Sequence, residues 1–219
     1  MSQVHVHNFA ISLDGFGTGE GLTLEAPFGH AGERLHEWMF ATRFWHDMVG
    51  EPGGSTGVDH VFAARHEVNI GAEIMGRGKF GPPQAGPWTG VGTEEEWRGW
   101  WGPNPPFHTP VFVLTHHPRE PLVLADTTFT FVTDGIESAL EQARAAAGGR
   151  DVTIGGGAQA IQQYLRAGLL DELVINLVPV LLGSGAPLFD DPRDADVRLE
   201  LTETVAAPGV THLFHRVVR

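Results

Sequence analysis

Apolar positions along this chain follow two rhythms, and the rhythms take turns. Val4 to Leu13 alternates in part and reads as an opening strand, with Val4 and Val6 on one side and His5 and His7 on the other. Asp59 to Val68 places Val61, Phe62, Arg65 and Val68 at helical spacing. Ala72 to Met75 is a short apolar strand that stops at Gly76-Arg77-Gly78. Val111 to Thr115 and Thr128 to Val132 read as further strands. Gly135 to Ala147 is an amphipathic helix, with Ile136, Ala139, Leu140 and Ala143 inward and Gly148-Gly149 as its stop. Val152 to Ile154, a helix over Ala158 to Ala167 and a long β-rich run over Leu173 to Leu182 follow. Val197 to Thr204 and Val210 to Val218 form a terminal hairpin through Ala206-Ala207-Pro208-Gly209. Strand and helix alternate, so the chain is α/β, with antiparallel strands added at the end.

Three stretches depart from both rhythms. Asp14-Gly15 begins a glycine-rich loop that runs to Gly21. Pro27 to Gly57 is irregular: Trp38 to Val49 is compatible with a helix, and GEPGGSTG breaks it. Gly81 to Pro110 is rich in Pro and Gly and holds four of the six tryptophans, so it is neither a regular strand nor a long helix. Trp88, Trp97, Trp100 and Trp101 can line an aromatic pocket, cover a dimer interface or staple the segment down.

Composition narrows the choice of partners. The 219 residues are 42% hydrophobic, enough for one substantial core, and one domain over residues 1–219 is expected. Twenty-seven acidic against 14 basic residues give a net charge of −13, which argues against nucleic acid and anionic membrane surfaces. The chain has no cysteine, so disulfides, thiolate metal sites and cysteine nucleophiles are excluded. The first residues lack a basic, apolar secretory pattern and no apolar run has spanning length, so a cytoplasmic protein is expected.

The candidate chemistry starts at Gly155-Gly156-Gly157-Ala158. A strand that ends in glycines and opens a helix presents free backbone N–H groups at a positive helix terminus, a site for phosphate. The triplet is not G-x-G-x-x-G and lacks the Lys-Ser/Thr of a P-loop, so by itself it also reads as a tight turn. Arg77 is a charged fork suited to phosphate, or a surface arginine after a buried strand. Thr115, His116 and His117, with Arg119 close by, offer phosphate-binding groups or a polar loop before Pro118. Asp14 can orient a substrate or water, or close an Asp-Gly turn. Asp59 is a candidate acid or a helix cap after Thr56-Gly57. His5 and His7 have the strand spacing of a metal pair, but no carboxylate at convincing spacing completes a set, so no metal is expected.

Taken in order, ISLDGFGTG, GAEIMGRGKFG, VFVLTHHP and VTIGGGAQAI followed by DELVINLVPVLLGSGAPLF resemble the dihydrofolate reductase-like superfamily. The branch matched is the one that includes the reductase domain of the bifunctional riboflavin-biosynthesis deaminase-reductase. The resemblance covers nearly the whole chain; residues 27–57 and 81–110 match least. It implies a twisted, mostly parallel sheet flanked by helices, with the C-terminal hairpin antiparallel, and NADPH as cofactor. It implies that Gly76, Arg77, Thr115, His116, His117 and the Gly155–Ala158 turn face the cofactor phosphates. Asp14 falls in the loop near the nicotinamide. Asp59 falls close to the place of the folate reductase carboxylate that binds the pterin and helps protonate it. The chain departs from true folate reductases in lacking their proline-tryptophan segment after the first loop, and it carries no deaminase zinc motif. The function implied is reduction of a small conjugated heterocycle, pterin-like or flavin-like, by a homodimer. The alternative is a module that binds a nucleotide or another phosphorylated ligand without turnover.

Overall fold

The structure is a computed structural model and describes residues 2–65, 68–84 and 86–218. The parallel strands are β1 (Val4–Ser12), β3 (Ile70–Gly76), β4 (Val111–Leu114), β6 (Thr127–Val132), β7 (Asp151–Gly156) and β8 (Glu172–Val178). Three antiparallel strands join them: β5 (Leu122–Leu124), β10 (Arg198–Ala206) and β11 (Thr211–Val218). The sheet order is β10-β11-β8-β1-β7-β3-β4-β6-β5. A second small sheet pairs β2 (Phe16–Thr18) with β9 (Ala186–Pro187).

A parallel sheet buries both faces. Adjacent residues of a strand therefore belong to different cores, as Ile74 and Met75 or Ala10 and Ile11 do. Helices α5 (Ile136–Ala147) and α6 (Ala158–Arg166) cover one face over Val4, Val6, Ile74, Val152 and Ile154. The buried Tyr164 hydroxyl of α6 donates to Ile136 O at 2.7 Å and ties the two helices together. The other face is divided. Helices α1 (Glu37–Phe40), α2 (Arg43–Val49) and α3 (Val58–Arg65) pack over the β1–β8–β11 side through Trp38, Phe44 and Ala63, with Leu35 of the turn before α1 beside them. The single turn α4 (Arg77–Phe80) and the Trp-rich segment cover the β3–β4–β6 side through Phe80, Trp88, Trp97 and Trp101. The segment does a helix's work with indoles: Trp97 Nε1 donates to Phe80 O at 2.9 Å and Trp88 Nε1 to His117 O at 2.8 Å.

The structure revises several element boundaries. The helix expected over Trp38 to Val49 is two helices, because Thr42 is extended and its hydroxyl caps α2 by accepting from Trp45 N at 3.2 Å. In α3, Phe62 and Ala63 are the residues that face the sheet and Val61 is 58% exposed; Val68, 65% exposed, lies beyond the helix. Residues 66 and 67 of that expected helix lie outside the described residues. The run from Leu173 stops as a strand at Val178, before Pro179. The first glycine-rich loop contains β2, and β5 was not visible as a separate strand.

Candidate functional site

Strands β1, β7, β3 and β4 are neighbours and parallel, so Ser12, Gly156, Gly76 and Leu114 end on one edge of the sheet. Ligands of open parallel sheets bind at such an edge. The topology therefore brings Asp14, Gly76, Arg77, Thr115, His116, His117 and the Gly155–Ala158 turn together there.

The three glycines of the turn do different things. A Cβ on Gly155 would lie 2.0 Å from Glu73 Oε1 and 2.5 Å from Lys79 Nζ. Its missing side chain makes room for the Glu73–Lys79 ion pair, closed at 2.7 Å with Glu73 buried. Gly156 has φ 108, faces Phe9 and is joined to Gly157 by a cis peptide bond. A Cβ on Gly157 would meet nothing within 4 Å. Gly157 is also the N-cap of α6 and offers no side chain to the first-turn N–H groups, while Ala158 itself is buried. Gly76 closes the other wall, its Cβ position lying 3.7 Å from Gly157 N. An open glycine over bare helix N–H groups fits a diphosphate.

The neighbouring cations are less available than the sequence implies. The Arg77 Nε and Nη1 groups donate to Gly81 O and Gly86 O, both at 3.3 Å, and the guanidinium lies 3.3 Å from the Trp88 ring centroid. Burial, and then the charge of Arg119, hold the Arg77 pKa below its ordinary value. The Arg119 side chain is buried, pairs with Glu96 at 2.6 Å and lies 5.0 Å from Trp88. The Thr115 hydroxyl accepts from His117 N at 3.1 Å and so closes its own turn. His116 is exposed and His117 half-buried.

Asp14 holds a loop. Its carboxylate accepts from Leu182 N at 3.1 Å and Gly183 N at 2.7 Å, joining the end of β1 to the segment after β8. A hydrogen bond with Ser12 and those two N–H groups draw its pKa down to about 2.

Asp59 lies second in α3, past the cap position, and its carboxylate faces His212 Nε2 at 3.1 Å. His212 is fully buried, stacked on Phe62 with Trp38 edge-on. The proton positions here follow from one group that can only accept. Ala63 O accepts from Asn8 Nδ2 at 3.1 Å. Asn8 Oδ1 therefore accepts from Asn176 Nδ2 at 3.4 Å, and Asn176 Oδ1 from His212 Nδ1 at 2.8 Å. His212 thus spends its Nδ1–H on Asn176. The contact between Nε2 and the Asp59 carboxylate is a hydrogen bond only if one more proton lies between them. Burial holds the His212 pKa below its ordinary value, and the hydrogen bond and charge of Asp59 offset that only in part. By register His212 pairs with Asn176, and Asn176 with Ala10, two residues before the end of β1. The cluster therefore sits just inside the glycine edge. Sequence reading missed Asn176 and the role of His212, because 153 residues separate His212 from Asp59. A polar residue inside each of two apolar strand runs was the available hint.

The expectation that no carboxylate joins His5 and His7 is corrected by strand pairing: β1 and β8 place Glu172 opposite His5.

The family model of the RibD C-terminal domain matches residues 5–213. The chain is 30% identical over 79 residues to the Bacillus subtilis (strain 168) protein YwjB, a match that covers 36% of this chain and 45% of YwjB. The chain thus spans about half the length of the curated relatives it matches. A putative riboflavin biosynthesis protein from Shewanella sp. PV-4 superposes with a TM-score of 0.63 at 22% identity over 100% of both chains. Dihydrofolate reductase from Enterococcus faecalis, complexed with NADP(H) and RAB-propyl, superposes with a TM-score of 0.53 at 14% identity, covering 98% of this chain and 96% of its own.

Proposed function

Since the chain belongs to the RibD C-terminal domain family, we propose that it is an NADPH-dependent reductase of a small conjugated heterocycle, pterin-like or flavin-like. The observation that carries the reading is the 3.1 Å contact between the Asp59 carboxylate and the buried His212, just inside an edge whose Gly157 turn is open to a diphosphate. NADPH bound there would supply a hydride.

The chain's own residues supply the rest. Gly157, Gly76 and the first-turn N–H groups of α6 bind the diphosphate, and the exposed His116 reaches the adenosine phosphate. Asp14 fixes the loop after β1. Asp59, with its side chain 21% exposed, donates the proton that balances the hydride, and His212 holds and shares it at Nε2. Phe62 and Trp38 keep water from His212. A homodimer belongs to the proposal: β10 is an edge strand with Leu201 exposed, and light scattering at micromolar concentrations should give twice the chain mass.

The test is NADPH oxidation against a panel of heterocycles with Asp59→Asn beside the wild type. On the substrate found, Asp59→Asn should lower turnover by on the order of 10²-fold and leave NADPH affinity nearly unchanged. Binding of NADPH with no oxidation of any substrate would favour the binding module instead. Full turnover by Asp59→Asn would remove Asp59 as the acid.

A further inference from the structure

At the amino end of β1, far from the glycine edge, two imidazoles and a carboxylate converge. His5 lies seven residues before Ser12, about 23 Å along a strand. The ring of His5 stacks on that of His7, centroids 3.9 Å apart and planes 7° from parallel. Glu172 of β8 lies opposite His5 in register and 3.9 Å from His7 Nε2. One donor atom from each of the three lies within 4.8 Å of the other two. His5 is 3% exposed, and its Nε2 has no hydrogen-bond partner among the described residues. A buried nitrogen left without a partner costs about 1–3 kcal/mol, so a group in that position calls for a ligand.

We propose that His5, His7 and Glu172 bind a divalent transition-metal ion of the Zn²⁺ type, with His5 Nε2 as the buried donor. Two imidazoles and one carboxylate are the donor set of Zn²⁺ and Co²⁺ rather than of Mg²⁺ or Ca²⁺. At bond lengths of about 2.1 Å, tetrahedral ligand atoms stand about 3.4 Å apart, so the three groups close in on the ion. The stacked rings must splay to aim at it. His7 and Glu172 can move, their side chains being 16% and 45% exposed, whereas His5 is fixed in the sheet. The half-exposed Glu172 side leaves a fourth position for water. Asp151 and Asp171 add negative charge near His5 and favour a cation. The ion would join β1 to β8 at the end opposite the proposed reaction site.

The experiment titrates the chelator-treated full chain with Co²⁺ and then Zn²⁺. The wild type should bind one Co²⁺ with visible absorption of low-symmetry, nitrogen-rich coordination, and Zn²⁺ should displace it. Glu172→Gln and His7→Gln, checked as folded by circular dichroism, should each weaken Zn²⁺ tenfold or more. His46→Gln, a control in the last turn of α2, should not. His7→Cys should add a thiolate-to-cobalt charge-transfer band, which appears only if position 7 ligates. Absence of a one-to-one site, unchanged affinity in folded Glu172→Gln and His7→Gln, or His7→Cys without that band would overturn the proposal.

Discussion

The β7–α6 turn and the Trp-rich segment are both built on glycine, and they use it in opposite ways. At Gly157 the missing side chain leaves open space beside bare helix N–H groups. At Gly81 the missing side chain is filled: a Cβ there would lie 2.8 Å from Trp100 Nε1 and 2.9 Å from Trp97 Cζ2, at φ 80. Even within the turn the division recurs, since Gly155 makes room for Glu73 and Lys79 while Gly157 faces outward. A glycine therefore marks a ligand site only where nothing of the protein occupies the vacated volume. The contrast also explains Arg77. It sits at the carboxyl end of β3, where a phosphate contact is implied, yet its guanidinium braces the Trp-rich segment through Gly81, Gly86 and Trp88.

The largest effect should come from Gly155→Val. It drives a side chain into a buried ion pair and should cost about 3 kcal/mol or more in urea unfolding. A loss below about 1 kcal/mol would mean that the pair moves aside freely and that Gly155 is no different from Gly157. Gly81→Ala comes next. Positive φ and indole contact together should cost about 2 kcal/mol, read from the shift in unfolding midpoint by tryptophan fluorescence. An unmoved midpoint would show that the indoles do not need that volume.

The smallest effect sharpens the open region. The folded pKa of Asp14 is depressed to about 2 from an ordinary 3.8, so its contribution to stability is present above about pH 4. It is lost as pH falls through 2. The melting temperatures of wild type and Asp14→Asn should differ at pH 6 and converge between pH 4 and 2. A constant difference across that range would mean that the Asp14 charge does not hold the Leu182–Gly183 loop.

Local pattern made much of this molecule legible. The helical spacing of Ala160, Ile161, Tyr164 and Leu165 matches four buried residues of α6, and the opening strand splits its valines and histidines to the faces expected. The hairpin of β10 and β11 and the glycine edge were also readable, since strand ends and turn residues are local signals. Pairings between distant strands were not. Glu172 beside His5, and Asn176 and His212 behind Asp59, come together only through sheet register. The contact of Arg77 with Trp88 was hidden for a related reason: its sequence neighbourhood shows the strand end but not Trp88 folding back onto it.

Gly157 is the proposed entry for the cofactor diphosphate, and a single substitution tests that role. Gly156→Val would be a poor choice, because φ 108 and Phe9 at 3.2 Å would strain the turn itself. Gly157→Val places its side chain in space the protein leaves empty. NADPH titrated against wild type and Gly157→Val, followed by quenching of the tryptophan emission, compares them directly. The account predicts saturable binding to the wild type and at least tenfold weaker binding to a Gly157→Val protein with an unchanged unfolding midpoint. Equal NADPH affinity in the two proteins would contradict it.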